Sequence, residues 1–120
     1  MSVRAEKVAS LIKQEVSTIV QRNFSMDQFG FLTVTDVEMS ADLKNAKIYV
    51  SVFGDAARKE KTLVLLDEQK GFIRSTLGRS IRLKFTPSIT FVLDETLDRA
   101  MKIERIINEI RKDEGPETND

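Results

Sequence analysis

Apolar residues recur at helical spacing near the start of the chain. Over residues 3–22 they lie three or four positions apart, which places them on one face of an α-helix. Ser2 precedes this stretch and has a side chain suited to capping the first turn. The pattern predicts a long amphipathic helix whose buried stripe comprises Val8, Leu11, Ile12, Val16, Ile19 and Val20.

The next apolar positions follow the two-residue period of β-strands. The stretch FLTVTDVEM, residues 31–39, is rich in β-branched residues, but its alternation slips after Val34. This slip predicts a β-bulge near Thr35–Asp36. A second strand is predicted over residues 46–53, and the polar residues 40–45 supply the turn of an antiparallel hairpin.

The second half of the chain is predicted to contain two helices, a strand and a last helix. The run LVLLDEQK, residues 63–70, has charged flanks that favour a helix, and Gly71 interrupts it. A further helix is expected over residues 72–84, a third strand over 86–93, and an amphipathic helix over 94–110. The predicted order is α-β-β-α-kink-α-β-α, in one α+β domain.

Basic residues are concentrated around the helix predicted over residues 72–84. Its apolar face comprises Ile73, Leu77 and Ile81, which fall within about 80° of each other at 100° per residue. The basic residues of the segment are Lys70, Arg74, Arg79, Arg82 and Lys84. They are expected to have no acidic neighbour in sequence. Charge alone leaves two alternatives open, an anionic partner or neutralisation by acids elsewhere in the fold.

Charge is unevenly distributed over a chain that is neutral as a whole. The 19 basic residues match 19 acidic ones, but residues 113–120 hold four acids and no base. Residues 1–112 therefore carry 19 basic against 15 acidic residues, a net charge of +4. We predict a folded domain over 1–112 and a disordered acidic tail over 113–120. With no signal peptide or membrane-length apolar run, a cytoplasmic location is expected.

The residue types present argue against catalysis. The chain has no cysteine and no histidine, which removes thiolate nucleophiles, imidazole bases and the common zinc ligands. Neither a cofactor nor a metal is expected. Asp94, Glu95 and Asp98 could serve a magnesium-dependent nuclease, but acids at the start of a helix also complement its dipole. No enzymatic activity is predicted, and the nuclease remains a remote alternative.

Three stretches of the chain resemble the bacterial ribosome-binding factor A family. GFIRSTLGRSIRLKFTPSITFVLDET, residues 71–96, is similar to its pattern G-[FY]-I-R-x-x-L-x-x-x-[ILM]-x-L-[RK]-x-x-P-x-[IL]-x-F-x-x-D. LTVTDVEMSADLKNAKIYVSVFG, residues 32–54, resembles the family's hairpin, and RAEKVASLIKQEVSTIV, residues 4–20, its first helix. The resemblance covers nearly all of residues 3–110 in the same order.

The resemblance implies a KH-like (type II) domain, with a three-stranded sheet and helices packed on one of its faces. Typical KH domains hold backbone phosphates on a GxxG loop. The family has instead a kink written A-x-G, which in this chain is Gln69-Lys70-Gly71. Gly71 is therefore expected to form the kink. Because Gln69 stands where the family has alanine, close packing at that position is in question.

The resemblance also implies a function. Members of the family bind the immature, free form of the small (30S) ribosomal subunit, contact 16S rRNA, and assist its processing and late maturation, notably in the cold. They have no catalytic activity and act beside ribosome-maturation GTPases. We expect a monomer that binds rRNA phosphates. The alternative is a protein-interaction or regulatory α+β module that does not bind RNA, which the neutral total charge favours. The expected RNA contacts are Lys70, Arg74, Arg79, Arg82 and Lys84, with Lys44, Lys47, Arg4 and Lys7 as weaker candidates.

Overall fold

The computed structural model follows the predicted order of elements, with one short helix added. It describes residues 3–113, apart from the side chains of residues 97, 98, 112 and 113. The elements are α1 (Val3–Asn23), α2 (Met26–Phe29), β1 (Leu32–Met39), β2 (Asn45–Val52), α3 (Ala56–Glu68), α4 (Lys70–Ser80), β3 (Ser88–Leu93) and α5 (Thr96–Asp113). The predicted cap at Ser2 and residues 114–120 of the predicted tail lie outside the described residues.

The central strand of the three-stranded sheet is β2. It pairs antiparallel with β1 and parallel with β3, in the order β1-β2-β3. The predicted bulge is confirmed, because the β1–β2 register shifts between Val34 and Asp36 and leaves Thr35 as the extra residue. The parallel pairing requires a long crossover, which α3 and α4 provide.

The helices cover one face of the sheet. Alternate residues of β2 are buried, and α1, α3 and α4 pack against the strands and against one another. The largest fully buried hydrophobic side chains are Ile12, Ile48, Leu66, Ile73, Leu77, Val16 and Val50. The predicted stripe of α1 is confirmed except at Leu11, which is exposed. These contacts form one core shared by helices and sheet.

The break between α3 and α4 lies at Gln69 rather than at the predicted Gly71. Gln69 ends α3 and starts α4, with φ −94° and ψ 5°. Gly71 lies in the first turn of α4, and a Cβ added there would meet nothing within 4 Å. Packing within the described residues therefore gives no reason for a glycine at this position.

Helix α4 ends at Ser80, four residues before the predicted end. Ile81 is extended, with φ −116° and ψ 129°, although its N–H still bonds to the Leu77 carbonyl. Ile81 is buried, so it continues the apolar spacing of the helix without belonging to it. The chain turns here because it must return along residues 81–87 to start β3. Arg82 and Lys84 consequently lie on this loop and not on a helix face.

Two helices differ from expectation in other ways. Helix α2 was not predicted, because four residues are too few to show a helical period. The Ser25 hydroxyl caps this helix by accepting from the Gln28 N–H at 3.3 Å. The predicted apolar side of α5 exists but is uncovered by the described residues. Its exposed apolar residues are Met101, Ile103, Ile106, Ile107 and Ile110, at 45% to 59%. No helix in the described part of the chain has the length and apolarity of a membrane span.

Candidate nucleic-acid interface

Three segments that are distant in sequence meet at one end of the sheet. They are the start of α1, the turn between β1 and β2, and the loop 81–87. The turn and the loop meet because β2 and β3 are parallel and begin at the same end of the sheet. There the Ser88 N–H donates to the Lys44 carbonyl at 2.8 Å. A pocket of about 210 Å³ lies between them, lined by Arg4, Asp42, Leu43, Lys44, Leu83, Lys84 and Phe85.

The hairpin turn holds Lys44 in place through its own hydrogen bonds. The Asp42 Oδ1 accepts from the Ser40 hydroxyl at 2.6 Å and from the Lys44 N–H at 3.0 Å. These two bonds hold the pKa of the Asp42 carboxyl below its usual 3.8, and the bond from the Ser40 hydroxyl has the larger effect. Leu43 takes a left-handed conformation with φ 62°, which tightens the turn. The backbone that carries Lys44 is therefore well fixed.

The pocket has an excess of positive charge. Arg4, Lys44 and Lys84 are all exposed and stand against the single acid Asp42, which gives a net charge of three minus one, or +2. Phe85 is also exposed, with the Lys84 Nζ 5.7 Å from its ring centroid. The three cations were all predicted RNA contacts, whereas Phe85 was not. Its position directly after Lys84 in LKFTP is the signal that could have found it.

The side chain of Arg74 makes hydrogen bonds to the loop that leads to β3. Its Nε donates to the Pro87 carbonyl at 2.9 Å and its Nη2 donates to the Thr86 carbonyl at 3.0 Å. The loop packs closely on α4 at Gly78, where an added Cβ would lie only 2.8 Å from the Thr86 Oγ1. Arg74 therefore anchors the loop that forms one wall of the pocket.

We expect Arg74→Lys to destabilise the protein by about 1 kcal/mol, since an ammonium cannot reproduce a two-carbonyl contact made by a planar guanidinium. Urea denaturation followed by circular dichroism measures this loss. Arg79→Lys, on the same helix, is the control and should change stability by less than about 0.5 kcal/mol. An Arg74→Lys variant of unchanged stability but weakened RNA binding would instead make Arg74 a phosphate contact.

Two of the predicted RNA contacts are paired with acids. Lys70 lies 2.7 Å from the Asp67 carboxylate, and Lys47 lies 3.7 Å from the Glu38 carboxylate. The expectation that the basic segment has no acidic neighbour was thus wrong for Lys70. Asp67 precedes it by three residues across the break between α3 and α4, where two helices bring the side chains together. These pairs partly neutralise both lysines.

The remaining predicted cations, Lys7, Arg79 and Arg82, are exposed and do not line the pocket. Lys7 follows Arg4 by one helical turn on α1. Arg79 lies at the end of α4 and Arg82 on the loop that leads to Lys84. Of the nine predicted contacts, Arg4, Lys44 and Lys84 therefore line one pocket. Lys7, Arg79 and Arg82 lie outside its lining, on α1, on α4 and on the loop 81–87.

Asp94, the first residue of the proposed nuclease cluster, is engaged in holding the fold. Its Oδ2 accepts from the Thr35 hydroxyl at 2.7 Å, and its Oδ1 from the Thr96 N–H at 3.0 Å. These bonds hold the pKa of the Asp94 carboxyl below its usual 3.8, and the bond from Thr35 has the largest effect. The side chain of Asp98 lies outside the description. Among the described residues, no three acidic, histidine or cysteine side chains form a group that could hold a metal.

A three-stranded sheet covered on one face by α1, α3 and α4 is the architecture of a KH-like α+β domain, and in this chain a cationic pocket lies at one end of it. The particular family follows from comparison with known proteins. The family model of ribosome-binding factor A matches residues 4–107. The chain belongs to this family.

Solved structures agree with this assignment. The chain is similar to the solution structure of a Thermotoga maritima ribosome binding factor A, with 29% identity, a TM-score of 0.66, and coverage of 77% of this chain and 88% of that one. It also shares the fold of the crystal structure of ribosome-binding factor A from Thermus thermophilus, with 21% identity and a TM-score of 0.66, covering 74% of this chain and 94% of that one.

A third structure with the same fold comes from a complex with the 30S ribosomal subunit. It is a homology model of the Thermus thermophilus ribosome binding factor A, fitted into a cryo-electron-microscopy map of a complex of the 30S subunit with that factor. Its identity to this chain is 22% and its TM-score 0.62, with coverage of 72% of this chain and 90% of that one. At this identity the likeness concerns the fold.

Proposed function

We propose that this protein binds the immature, free small (30S) ribosomal subunit and assists its late maturation by contacting 16S rRNA. The observation that carries the proposal is the convergence of Arg4, Lys44 and Lys84 on one pocket. Family membership supports the ribosomal partner, as does the relative fitted to a 30S complex. Lys7, Arg79 and Arg82 extend the cationic surface, and the paired Lys47 and Lys70 contribute less.

The proposed mechanism is a shift between rRNA arrangements without a chemical step. Cations at fixed positions bind phosphates and release their counterions, so binding weakens steeply with salt. A factor that binds one rRNA arrangement more tightly than another raises the population of the first. Processing of 16S rRNA would then proceed on the favoured arrangement, including in the cold. The protein acts in the cytoplasm as a monomer, without metal or cofactor, beside ribosome-maturation GTPases.

Co-sedimentation with purified immature and mature 30S subunits across a salt series tests this proposal. The expected result is tighter binding to the immature subunit by at least about tenfold, which corresponds to about 1.4 kcal/mol of differential affinity. A linear fall of log affinity with log salt is expected for both. Equal affinity for the two subunits would contradict the proposal, because such a factor shifts no population.

A protein-interaction module is the second candidate, and the exposed apolar side of α5 favours it. Such a module would dock a protein on α5 or on an edge strand, β1 or β3. Analytical ultracentrifugation of the pure protein, combined with an RNA-binding assay at low salt, separates the two functions. A stable dimer that ignores RNA would support the module, and a monomer that binds RNA would support the ribosomal function.

A further inference from the structure

Phe85 is an exposed aromatic residue on a fixed backbone. Its side chain is 63% exposed, although a phenylalanine gains most from burial. The two residues that follow it, Thr86 and Pro87, are anchored through their carbonyls by Arg74. The ring is thus presented to solvent at the pocket by a loop held from behind, which limits the conformational entropy it loses when it binds a ligand.

The pocket beside this ring is apolar at its base and cationic at its rim. Leu43 and Leu83 are partly buried and pack against the core, whereas the charged groups of Arg4, Lys44 and Lys84 are exposed. The volume of the pocket is about 210 Å³. It is smaller than the usual pocket for a drug-sized ligand, and it suits one flat ring with an anionic group beside it.

We propose that this pocket takes a single unpaired nucleotide of the RNA, with its base stacked on Phe85 and its phosphate bound by Lys44 and Lys84. The inference rests on the proposed function and specifies the RNA that the site recognises. Proteins that bind single strands combine cations along the backbone with aromatic rings on which bases stack. Bases within an A-form duplex are stacked on one another and cannot reach such a ring.

The combination of cations and an aromatic ring in one pocket favours RNA over an acidic protein partner. Three exposed cations line the same pocket as a flat hydrophobic ring, and the Lys84 Nζ lies 5.7 Å from the centroid of that ring. A phosphate and a base are joined within one nucleotide, so a single ligand satisfies both features. A protein partner would have to supply an acidic side chain and a planar one together.

The first experiment measures binding of the full chain to a fluorescent single-stranded RNA of about 10 nucleotides and to the same RNA annealed to its complement. Phe85→Leu keeps an apolar side chain but removes the aromatic ring. We expect it to weaken single-strand binding about tenfold, with the duplex affinity and the salt slope unchanged. Phe53→Leu, at the opposite end of β2 and 79% exposed, is the matched control and should bind as the unmodified protein does.

The second experiment uses Phe85→Trp, which retains stacking and introduces the only tryptophan of the chain. Its fluorescence is expected to be quenched when the single strand binds and to change little with the duplex. Because the variant preserves an aromatic ring, its affinity should stay within about twofold of the unmodified protein. An unquenched tryptophan in a saturated complex would overturn the inference.

The outcomes separate this inference from the proposed function. If Phe85→Leu leaves single-strand affinity unchanged while the protein still prefers immature subunits, the site binds phosphates only and the inference fails alone. If Phe85→Leu weakens subunit binding but not binding to the single strand, Phe85 contacts a protein and the inference also fails. If the unmodified protein prefers neither immature subunits nor single-stranded RNA, both proposals fail.

Discussion

Replacing Lys44 and Lys84 together by glutamate is expected to weaken binding to the immature small subunit about 100-fold at low salt. Each substitution is expected to remove a charge-assisted contact worth about 1.5 kcal/mol. Two such losses lower the affinity about 100-fold. The slope of log affinity against log salt should fall by about 2, one for each lost phosphate contact. Co-sedimentation at several salt concentrations measures both quantities.

The control for this double variant has the same change of charge elsewhere. Lys61→Glu with Lys102→Glu alters α3 and α5, outside the pocket, and is expected to weaken binding far less. Both pairs should retain the stability of the unmodified protein, because Lys44 serves the turn through its backbone and its side chain is exposed, as is that of Lys84. Equal losses in the two pairs would show that only overall charge matters and would remove the pocket from the mechanism.

Leu77→Ala is expected to lower the free energy of unfolding by about 3 kcal/mol. Leu77 is completely buried in the core shared by helices and sheet, and truncation there costs the transfer energy of the lost methyl groups plus the cavity they leave. The total stability of a domain is only about 5–15 kcal/mol, so the loss is large. Urea denaturation at 25 °C measures it.

Leu11→Ala is the matched control, because it makes the same chemical change on α1 at a side chain that is 48% exposed. Its cost should stay below about 1 kcal/mol. The Leu77 carbonyl also accepts the N–H of Ile81, where the loop toward the pocket begins. The substitution leaves this backbone bond in place, so the folded variant is expected to bind RNA as the unmodified protein does. Similar stabilities for the two leucine variants would contradict the packing described for α4.

The sequence was a good guide to the elements and a poor one to the end of α4. Periodicity located both strands of the hairpin and even the bulge at Thr35, because alternation reports directly on which side of a sheet a residue lies. The same reasoning extended α4 too far. Ile81 follows Leu77 at helical spacing and is buried, yet it is buried by a chain that has already left the helix.

The candidate site was predictable in its residue types but not in its arrangement. Clustering of charge pointed to cations in the segment from Lys70 to Lys84. Which of them are free depends on contacts that no local pattern records, such as the bonds from Arg74 to carbonyls 12 and 13 residues away. Lys44 meets Lys84 because β2 and β3 are parallel, and Arg4 joins them through the packing of α1 on β1 and α4, and both depend on the topology.

The parallel pairing of β2 with β3 has a thermodynamic consequence. The pocket is assembled from residues 4, 42–44 and 83–85, so an unfolded chain has no equivalent site, and RNA held there as we propose would bind the folded state. Ligand binding and folding are therefore linked, and RNA at 100 times its Kd would add about 2.7 kcal/mol to the stability of the domain. A rise in Tm with RNA concentration that is lost when Lys44 and Lys84 are replaced by glutamate would report occupancy of this pocket. Under the proposed function, the protein on the subunit would resist unfolding more than the same protein released from it.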